Sequence, residues 1–427
     1  MESLMSIIVL DTETSINSKK HSAQAKDPYN DFHTIIHGTK SNVIVEHSIE
    51  GFKRRTTKAF NDSLKTTKLI VGHNLPFDLP YVWDNQEFQE WLVNGGAVWD
   101  TQLVQYLMSG QRHTFPSLGE LQKIYLKRKI KEDRISKLYK KGIGADKILA
   151  AKDRCPRLFK LYDKYSRDDG ETTLAVFEKQ VREAKRLNMI PIIKVFNKYL
   201  LTLVLCMKTG IVVDRNTTEK NLRDFKLKAL DLLGEAQELI KHLWNDERLP
   251  EFNVNSPQHK SAILFGGDIR CKVRKHVGKY KNGKDKYKNE EELVHVEGFG
   301  LSLDYTEESK IDGRYATGGD VISKIIKTCD NEIAVNYCKL QKESMNMMKM
   351  CSTYLEAFLD LSIDNKLYPN FNITKTSTSR LSSSNPNLQN VPSKGVISKA
   401  IQECFVAPEG WSCVQIDFSQ LEIYVTA

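Results

Sequence analysis

Two short apolar runs in the first 110 residues end abruptly in polar side chains, and this pattern constrains the fold more than any other feature. The runs are SIIVL at 6–10 and KLIVGHN at 68–74. Short apolar runs of this kind are typical of strands buried on both faces of an α/β sheet. From about Leu118 to Leu187 the pattern becomes helical and basic. The sequence therefore predicts an α/β unit followed by helices.

The length and charge of the chain set broad limits. With 427 residues, two or three domains are expected. The formal net charge of +9 suits a polyanionic partner, and nucleic acid is the first candidate. The eight cysteines form no C-x-x-C pair, so we predict reduced thiols and a cytoplasmic protein. We also predict no secretory signal and no run as long as a membrane span.

The middle of the chain contains two long helical stretches, one at 220–244 and one from about Asp320 to Leu361. Because an excursion separates them, we predict an antiparallel pair of helices. Asn216 is predicted to cap the first helix, with Glu219 completing a capping box. The lysine-rich excursion predicts an exposed hairpin or a flexible loop. Its charge suits duplex phosphates, and a solvated surface explains it equally well.

Several acidic side chains follow the predicted strands. Asp11 and Glu13, in LDTET, are two residues apart on a strand and therefore share a face. A hard divalent cation prefers such oxygens, although two surface acids at a strand end are the simpler interpretation. Asp78 follows the second apolar run in HNLPFD, and Tyr165 and Asp169 share a helix face.

Taken in order, these residues form the pattern D-x-E, then H-N-x-x-F-D, then Y-x-x-x-D. This order resembles the three motifs of the DEDDy family of proofreading 3′→5′ exonucleases. The resemblance implies an RNase H-like fold with a mixed sheet, and hydrolysis with two Mg²⁺ ions, or Mn²⁺. It implies that Asp11, Glu13 and Asp169 hold the first metal and that Asp11 bridges to the second. Asp78 would support the second metal through water, and Tyr165 would orient the attacking water.

Residues around these motifs leave alternatives open. Asp168 competes with Asp169 as a ligand, and the Tyr-x-x-x-Asp spacing favours Asp169. Asn74 and Phe77 flank the second motif and are candidates for contacts to a single-stranded 3′ end. His73 is either a catalytic base or a structural residue.

The last sixty residues carry a second resemblance. TSTSRLSSSNPNLQNVP, at 376–392, is similar to the segment T-x-T-G-R-L-S-S-x-x-P-N-L-Q-N-I-P of family A DNA polymerases. CVQIDFSQLEIYVTA, at 413–427, is similar to polymerase motif A, with CVQID as a predicted strand. Ser379 stands where the family has glycine, so we expect a different local turn because serine adopts left-handed backbone angles less readily.

This second resemblance implies a role for each matching residue. Asp417 would bind both catalytic metals of DNA synthesis, with the main-chain carbonyl of Phe418 as a further ligand. Glu422 would lie beside the sugar of the incoming nucleotide. Lys394 would touch a phosphate or remain a surface lysine. The residues implied at the primer–template duplex are Arg380, Gln389 and Asn390.

Together the resemblances imply an α/β + α architecture in four parts. These are an RNase H-like 3′→5′ exonuclease domain at 1–187, a palm lead-in at 188–214, a helical thumb at 215–365 with a basic insertion near 272–292, and a partial palm at 366–427.

The function implied is a proofreading exonuclease joined to the first part of a replicative family A DNA polymerase. The sequence looks more like a phage polymerase than a cellular one. The family's later carboxylate motif and fingers helix do not follow, so we expect no nucleotide incorporation by this chain alone. The chain is then either one half of a split polymerase, completed by a second polypeptide, or a truncated gene product. We expect dNTP binding only with the complementing half. Two other functions stay open: a non-catalytic primer–template-binding subunit, and a repair or RNA-trimming exonuclease with a vestigial polymerase part.

Overall fold

The chain forms two compact units. In this computed structural model the described residues are 6–16, 31–53, 55–128, 134–280, 282–306, 314–392, 396–414 and 416–426. The first unit comprises Met1–Val213, Leu361–Val391 and Phe405–Ala427, and the second comprises Asp214–Asp360 and Pro392–Cys404.

Strands and helices are interspersed along the whole chain. Up to residue 212 the regular elements are β1 (Ser6–Thr14), β2 (Phe32–Thr39), β3 (Asn42–His47), α1 (Lys58–Leu64), β4 (Thr67–Gly72), α2 (Leu79–Val82), α3 (Gln86–Val93), β5 (Ala97–Asp100), α4 (Thr101–Met108), α5 (Leu118–Leu126), α6 (Arg134–Lys140), α7 (Ala145–Ala150), α8 (Pro156–Arg186), α9 (Ile190–Thr209) and β6 (Ile211–Val212). The later elements are α10 (Arg215–Ile240), α11 (Pro257–Phe265), β7 (Gly267–Lys279), β8 (Asp285–Val296), α12 (Gly319–Thr328), α13 (Glu332–Met350), α14 (Ala357–Leu361), β9 (Lys366–Leu367), β10 (Asn370–Asn372), β11 (Ser382–Ser384), α15 (Val396–Gln402) and α16 (Leu421–Thr426).

A mixed five-stranded sheet forms the core of the first unit, in the order β3-β2-β1-β4-β5. Strand β1 is antiparallel to β2 and parallel to β4, and β4 is parallel to β5. Ile8 and Leu10 are fully buried in the main core cluster. The predicted α/β class with a mixed sheet and many helices is therefore confirmed.

The carboxyl half of β1 extends beyond its parallel neighbour. The pairing of β1 with β4 ends at Val9↔Val71, while the pairing with β2 continues through Asp11↔Ile36 and Glu13↔Thr34. Both acidic residues therefore lie where β1 has a neighbouring strand on one side only. This is the position at which open α/β sheets place their sites, just beyond the carboxyl ends of parallel strands.

Helix α8 packs closely on this sheet because it carries a glycine at the contact. A Cβ atom on Gly170 would lie 2.8 Å from Ile36 Cγ2 and 3.1 Å from Val43 Cγ1. The close approach brings the preceding helical turns, which carry Tyr165 and Asp169, towards β1.

The prediction that no run reaches the length of a membrane span is wrong. Helix α9 has 20 residues, with a mean hydropathy of 1.6 over its most apolar window, 33% of which is buried. By length and composition alone it could cross a membrane. It also serves as a core helix, because Ile193, Leu200 and Val204 pack into the core cluster of the sheet. Core helices of soluble proteins pass the same test.

In the second unit α10 and α13 pack against each other, as predicted. Ser344 Oγ donates a hydrogen bond to Ala229 O at 2.6 Å, and Lys226 pairs with Glu356. Lys226 precedes Ala229 in α10, whereas its partner Glu356 follows Ser344, so the two segments run antiparallel.

Two details of the predicted helices are wrong. The first helix is capped by Asp214, whose side chain accepts hydrogen bonds from the Asn216 and Thr217 N–H groups, while Glu219 pairs with Arg215 instead of completing a box. The second stretch is not continuous. It breaks between α12 and α13, where Asn331 caps α13, and it passes through a π-helical turn at Cys351–Glu356.

The lysine-rich excursion is a long hairpin. Strands β7 and β8 pair from Gly267↔Val296 to Lys279↔Asp285. Ile269 and Val294 bury the base of the hairpin in the core of the second unit, whereas Tyr280, near its tip, is 53% exposed. Of the two predicted alternatives, hairpin and flexible loop, the structure forms the hairpin.

We expect Gly170→Val to lower the free energy of unfolding by about 1–3 kcal/mol, because the added side chain overpacks the contact between α8 and the sheet. The control is Gly234→Ala in α10, where no atom lies within 4 Å of the added Cβ. That change should stabilise the protein by about 0.5–1 kcal/mol through helix propensity. Urea unfolding of both variants tests the contact, and an unaffected Gly170→Val variant would contradict it.

Candidate active site

Three carboxylates from two elements meet beside β1. Asp11, Glu13 and Asp169 each offer an oxygen, and these oxygens lie within 4.8 Å of one another. Two come from β1 and the third from α8, and all three side chains are half-buried. Asp168, one position earlier on α8, is exposed, because consecutive helical residues point about 100° apart. The structure thus brings together the three predicted first-metal ligands.

Asp78 lies beside this cluster and holds β1 in place. Its Oδ1 accepts hydrogen bonds from the Thr12 N–H at 2.9 Å and from the Thr12 hydroxyl at 2.7 Å. Thr12 stands between Asp11 and Glu13, so the bond fixes the strand at the point from which both carboxylates project. Burial, and then the negative charge of Asp11, raise the pKa of Asp78 well above its usual range. Its predicted role through a second metal stays a prediction.

The cluster concentrates acidic groups in a poorly solvated place. Burial raises the pKa of Asp11 from 3.8 to about 6, and the hydrogen bond from the Thr12 N–H opposes this shift. Ionising Asp11 without a cation is therefore costly, and a divalent cation would offset that cost. The donor set of carboxylate oxygens fits Mg²⁺ or Mn²⁺.

Tyr165 lies next to the carboxylates as a protonated phenol. Burial first, and then the charges of Glu13 and Asp169, raise the pKa of Tyr165 well above its usual range. A hydrogen bond to Asp169 acts in the same direction. The phenol can therefore orient a water molecule without ionising.

The loop that leads into Asp78 is held by a buried aspartate to which the sequence patterns assigned no role. Asp100 accepts hydrogen bonds from the N–H groups of Asn74 at 3.2 Å and Leu75 at 2.7 Å. It also caps α4. Phe77 packs partly buried against the core, with its ring centroid 6.0 Å from that of Tyr81. The signal in the sequence was the D-T dipeptide at 100–101, where β5 ends and α4 begins.

His73 is placed as a structural residue. Its Nδ1 lies 2.9 Å from the Thr101 hydroxyl oxygen. Burial lowers the pKa of His73 to about 4, so its imidazole is neutral near pH 7. The low pKa makes His73 a weak base, and with its bond to Thr101 this fits the structural alternative better than a catalytic base.

The second resemblance falls on a separate cleft in the first unit, with a volume of about 730 Å³. The hairpin β10–β11 frames it. Ser379 adopts a left-handed backbone with φ of 58°, an angle that glycine reaches more easily, and the expectation of a different turn stays a prediction. Three residues predicted to contact the duplex line this cleft: Arg380, Gln389 and Asn390. Tyr199, which was not predicted, lines it as well.

The described residues of the predicted strand CVQID form no strand. Residues 411–414 and 416–418 lie outside any strand, and Val414 and Ile416 are 79% and 85% exposed. A strand needs a neighbour for its backbone hydrogen bonds, and no strand pairs with this segment in the described part of the chain. Asp417 and Phe418 are exposed there. Lys394 and the side chain of Glu422 lie outside the described residues.

We expect Asp11→Asn to raise the melting temperature in EDTA at pH 7.5 by about 5 °C, because it removes a buried charge. A raised carboxyl pKa destabilises the folded state only where the group is ionised. The gain should therefore appear as the pH rises from 3.8 to about 6 and vanish at pH 3.5. Thermal unfolding at both pH values tests this, with Asp168→Asn as the exposed control. An equal gain at both pH values would contradict a charge effect.

Sequence comparisons relate the chain to polymerases. Residues 299–427 match the profile of DNA polymerase family A. The thermostable DNA polymerase I of Thermus aquaticus is 43% identical over 83 residues, which are 19% of this chain and 10% of that protein. DNA polymerase I of Bacillus subtilis (strain 168) is 26% identical over 339 residues, 78% of this chain and 31% of that protein. The chain thus spans less than a third of the length of these relatives.

A comparison of folds agrees with the sequence relatives. The POL domain of Pol1 from M. smegmatis, in a complex with DNA primer-template and dNTP, aligns with a TM-score of 0.62 and 18% identity. The alignment covers 96% of this chain and 57% of that one. The family profile thus relates residues 299–427 to the family A DNA polymerases, and the fold comparison shows a similar fold.

Proposed function

We propose that this chain is a metal-dependent 3′→5′ exonuclease of the DEDDy proofreading type, with an RNase H-like fold. The observation that carries the proposal is the meeting of Asp11, Glu13 and Asp169, with oxygens within 4.8 Å of one another. Tyr165 supports it, because it comes from the same helix as Asp169 and bonds to that carboxylate. Three acids and a protonated phenol form a site suited to phosphodiester hydrolysis.

Each residue has a task in this proposal. The three carboxylates would hold divalent metal, which when bound supplies water activation and stabilisation of the leaving 3′ oxygen. Tyr165 donates a hydrogen bond that orients the attacking water. Asp78 keeps β1 in register by binding Thr12. Asn74 and Phe77 lie on the loop before Asp78, where an unpaired 3′ nucleotide can reach the acids.

The test uses the purified chain and a primer–template with a frayed 3′ end, with Mg²⁺ or with EDTA. We expect metal-dependent shortening of the primer, and Asp169→Ala should lower its rate by about 100-fold or more. Asp168→Ala is the matched control, because it removes a neighbouring acid that stands outside the cluster, and it should retain activity. Absence of shortening by the folded, DNA-bound wild-type chain would contradict the proposal and favour a non-catalytic primer–template-binding subunit. Preferred cleavage of RNA would favour the trimming alternative.

For the polymerase-related part we propose DNA-directed nucleotide transfer that needs the rest of a family A palm and fingers, supplied by the same polypeptide or a second one. The exposed apolar side chains around Asp417 support this, because Trp411 is 75% and Ile416 is 85% exposed. Large exposed apolar side chains mark surfaces that another part of a protein covers. Only in that assembly would Asp417 bind metal and Glu422 meet the dNTP. The cleft at Arg380 would contact primer–template.

We also propose that the β7–β8 hairpin grips duplex phosphates. Residues 272–288 contain eight Lys or Arg and one Asp. Arg274 lies over the ring of Tyr287, with 4.2 Å from its guanidinium carbon to the ring centroid, so the ribbon combines cations with an aromatic face. A two-stranded ribbon of this kind fits a groove of DNA.

Replacing three exposed hairpin lysines by glutamine, at 272, 279 and 288, should weaken duplex binding. We expect the slope of log affinity against log salt to become shallower by about 0.9 for each lost phosphate contact. Fluorescence anisotropy between low and moderate salt measures this slope. The charge-matched control changes Lys58, Lys65 and Lys68 in the first unit. Equal effects of the two triple variants would show general charge attraction and contradict a specific grip.

A further inference from the structure

A tyrosine outside the recognised motifs contacts one of the three clustered acids directly. Tyr139 lies in α6, and its hydroxyl donates a hydrogen bond to Glu13 Oε2 at 2.7 Å. Its ring also meets that of Tyr165 edge to face, with centroids 6.3 Å apart. Burial, and then the charge of Glu13, raise the pKa of Tyr139, so its hydroxyl stays a donor at neutral pH.

The small lobe that carries Tyr139 is anchored to β1 at a second point. Helices α6 and α7 share a separate apolar cluster with the start of α8, built on Ile135, Ile148 and Tyr162. Where the lobe reaches β1 it has a glycine. A Cβ atom on Gly144 would lie 2.9 Å from the carbonyl oxygen of Thr14, the last residue of β1, and 2.6 Å from the backbone nitrogen of Ile16. The lobe therefore lies against the strand of Glu13 with no room for a side chain at this contact.

Further polar side chains lie next to the hydroxyl of Tyr139. The hydroxyl of Tyr162, which interacts electrostatically with that of Tyr139, lies 2.6 Å from the Thr34 hydroxyl oxygen. Thr34 lies 2.9 Å from His47 Nδ1, and His47 Nε2 lies 3.1 Å from Asp163 Oδ1. Tyr162, Thr34, His47 and Asp163 thus form a connected row of polar side chains next to Tyr139.

We propose that Tyr139 is a positioning residue that holds one carboxylate oxygen of Glu13, so that its other oxygen faces Asp11 and Asp169. A glutamate side chain has three rotatable bonds, and this bond removes much of their freedom before a metal arrives. Replacing a residue that holds a metal ligand by a hydrogen bond typically lowers metal affinity or activity by about 10–100-fold. The inference rests on the proposed function, because it assigns the same cluster to a divalent cation.

The test measures Mn²⁺ binding to the whole chain by electron paramagnetic resonance, and 3′ shortening as a function of Mn²⁺ concentration. Tyr139→Phe removes one oxygen and keeps the ring. We expect Mn²⁺ to bind about 10-fold more weakly, and shortening to recover at saturating Mn²⁺. The matched control is Tyr125→Phe in α5, which removes a hydroxyl that donates a hydrogen bond to Gln105 Oε1 at 2.6 Å. It should bind Mn²⁺ as the wild type does.

A second variant separates positioning from general loss of structure. Gly144→Val keeps the Tyr139 hydroxyl but pushes the lobe off β1, so it should weaken Mn²⁺ binding to a similar extent. A loss of melting temperature with unchanged Mn²⁺ affinity in both variants would overturn the inference and leave a purely structural hydroxyl. Wild-type chain that binds no Mn²⁺ would overturn the proposed function as well. Wild-type binding with an unaffected Tyr139→Phe variant would overturn the positioning role alone.

Discussion

The crowding of like charges beside β1 is the constraint on which the first unit depends. Carboxylates that lie this close repel one another, and burial adds to the cost of ionising Asp11, whose pKa rises to about 6. The surrounding structure holds them there nonetheless. Asp78 binds Thr12 between the two strand acids, and Gly170 lets α8 lie close enough to deliver Asp169. Much of the local architecture therefore keeps these acids together despite the cost of their charges, and the proposed divalent cation would offset that cost.

A second layer of buried polar groups supports the first. Asp100 caps α4 and accepts hydrogen bonds from the loop before Asp78, so one buried carboxylate sets both a helix start and a site loop. Its burial raises its pKa, while hydrogen bonds from four N–H groups lower it, so this charge is solvated by the backbone. Asp11 has one such bond opposing its burial. The two buried acids thus differ in the number of backbone N–H groups that oppose the cost of burying their charge.

The second unit depends on a different balance. Its helices α10 and α13 bury an apolar core that includes the base of the β7–β8 hairpin, while the outer part of the hairpin stays exposed. Lys275 pairs with Glu292, and these exposed ion pairs contribute little to stability. The excess of cations towards the tip therefore fits the proposal that the outer part of the hairpin binds duplex phosphates.

The sequence alone determined the periodic and local features. It predicted the strands at 6–10 and 68–74, the helix face shared by Tyr165 and Asp169, and the preference for Asp169 over Asp168, because periods of 2 and 3.6 residues decide which side chains share a face. It failed at 413–417, because an apolar run becomes a strand only beside another strand. It also gave Tyr139 and Gly144 no role. Only the tertiary structure decided their roles. Tyr139 acts through a carboxylate 126 residues away in the sequence, and Gly144 is required because backbone atoms distant in the sequence pack against it.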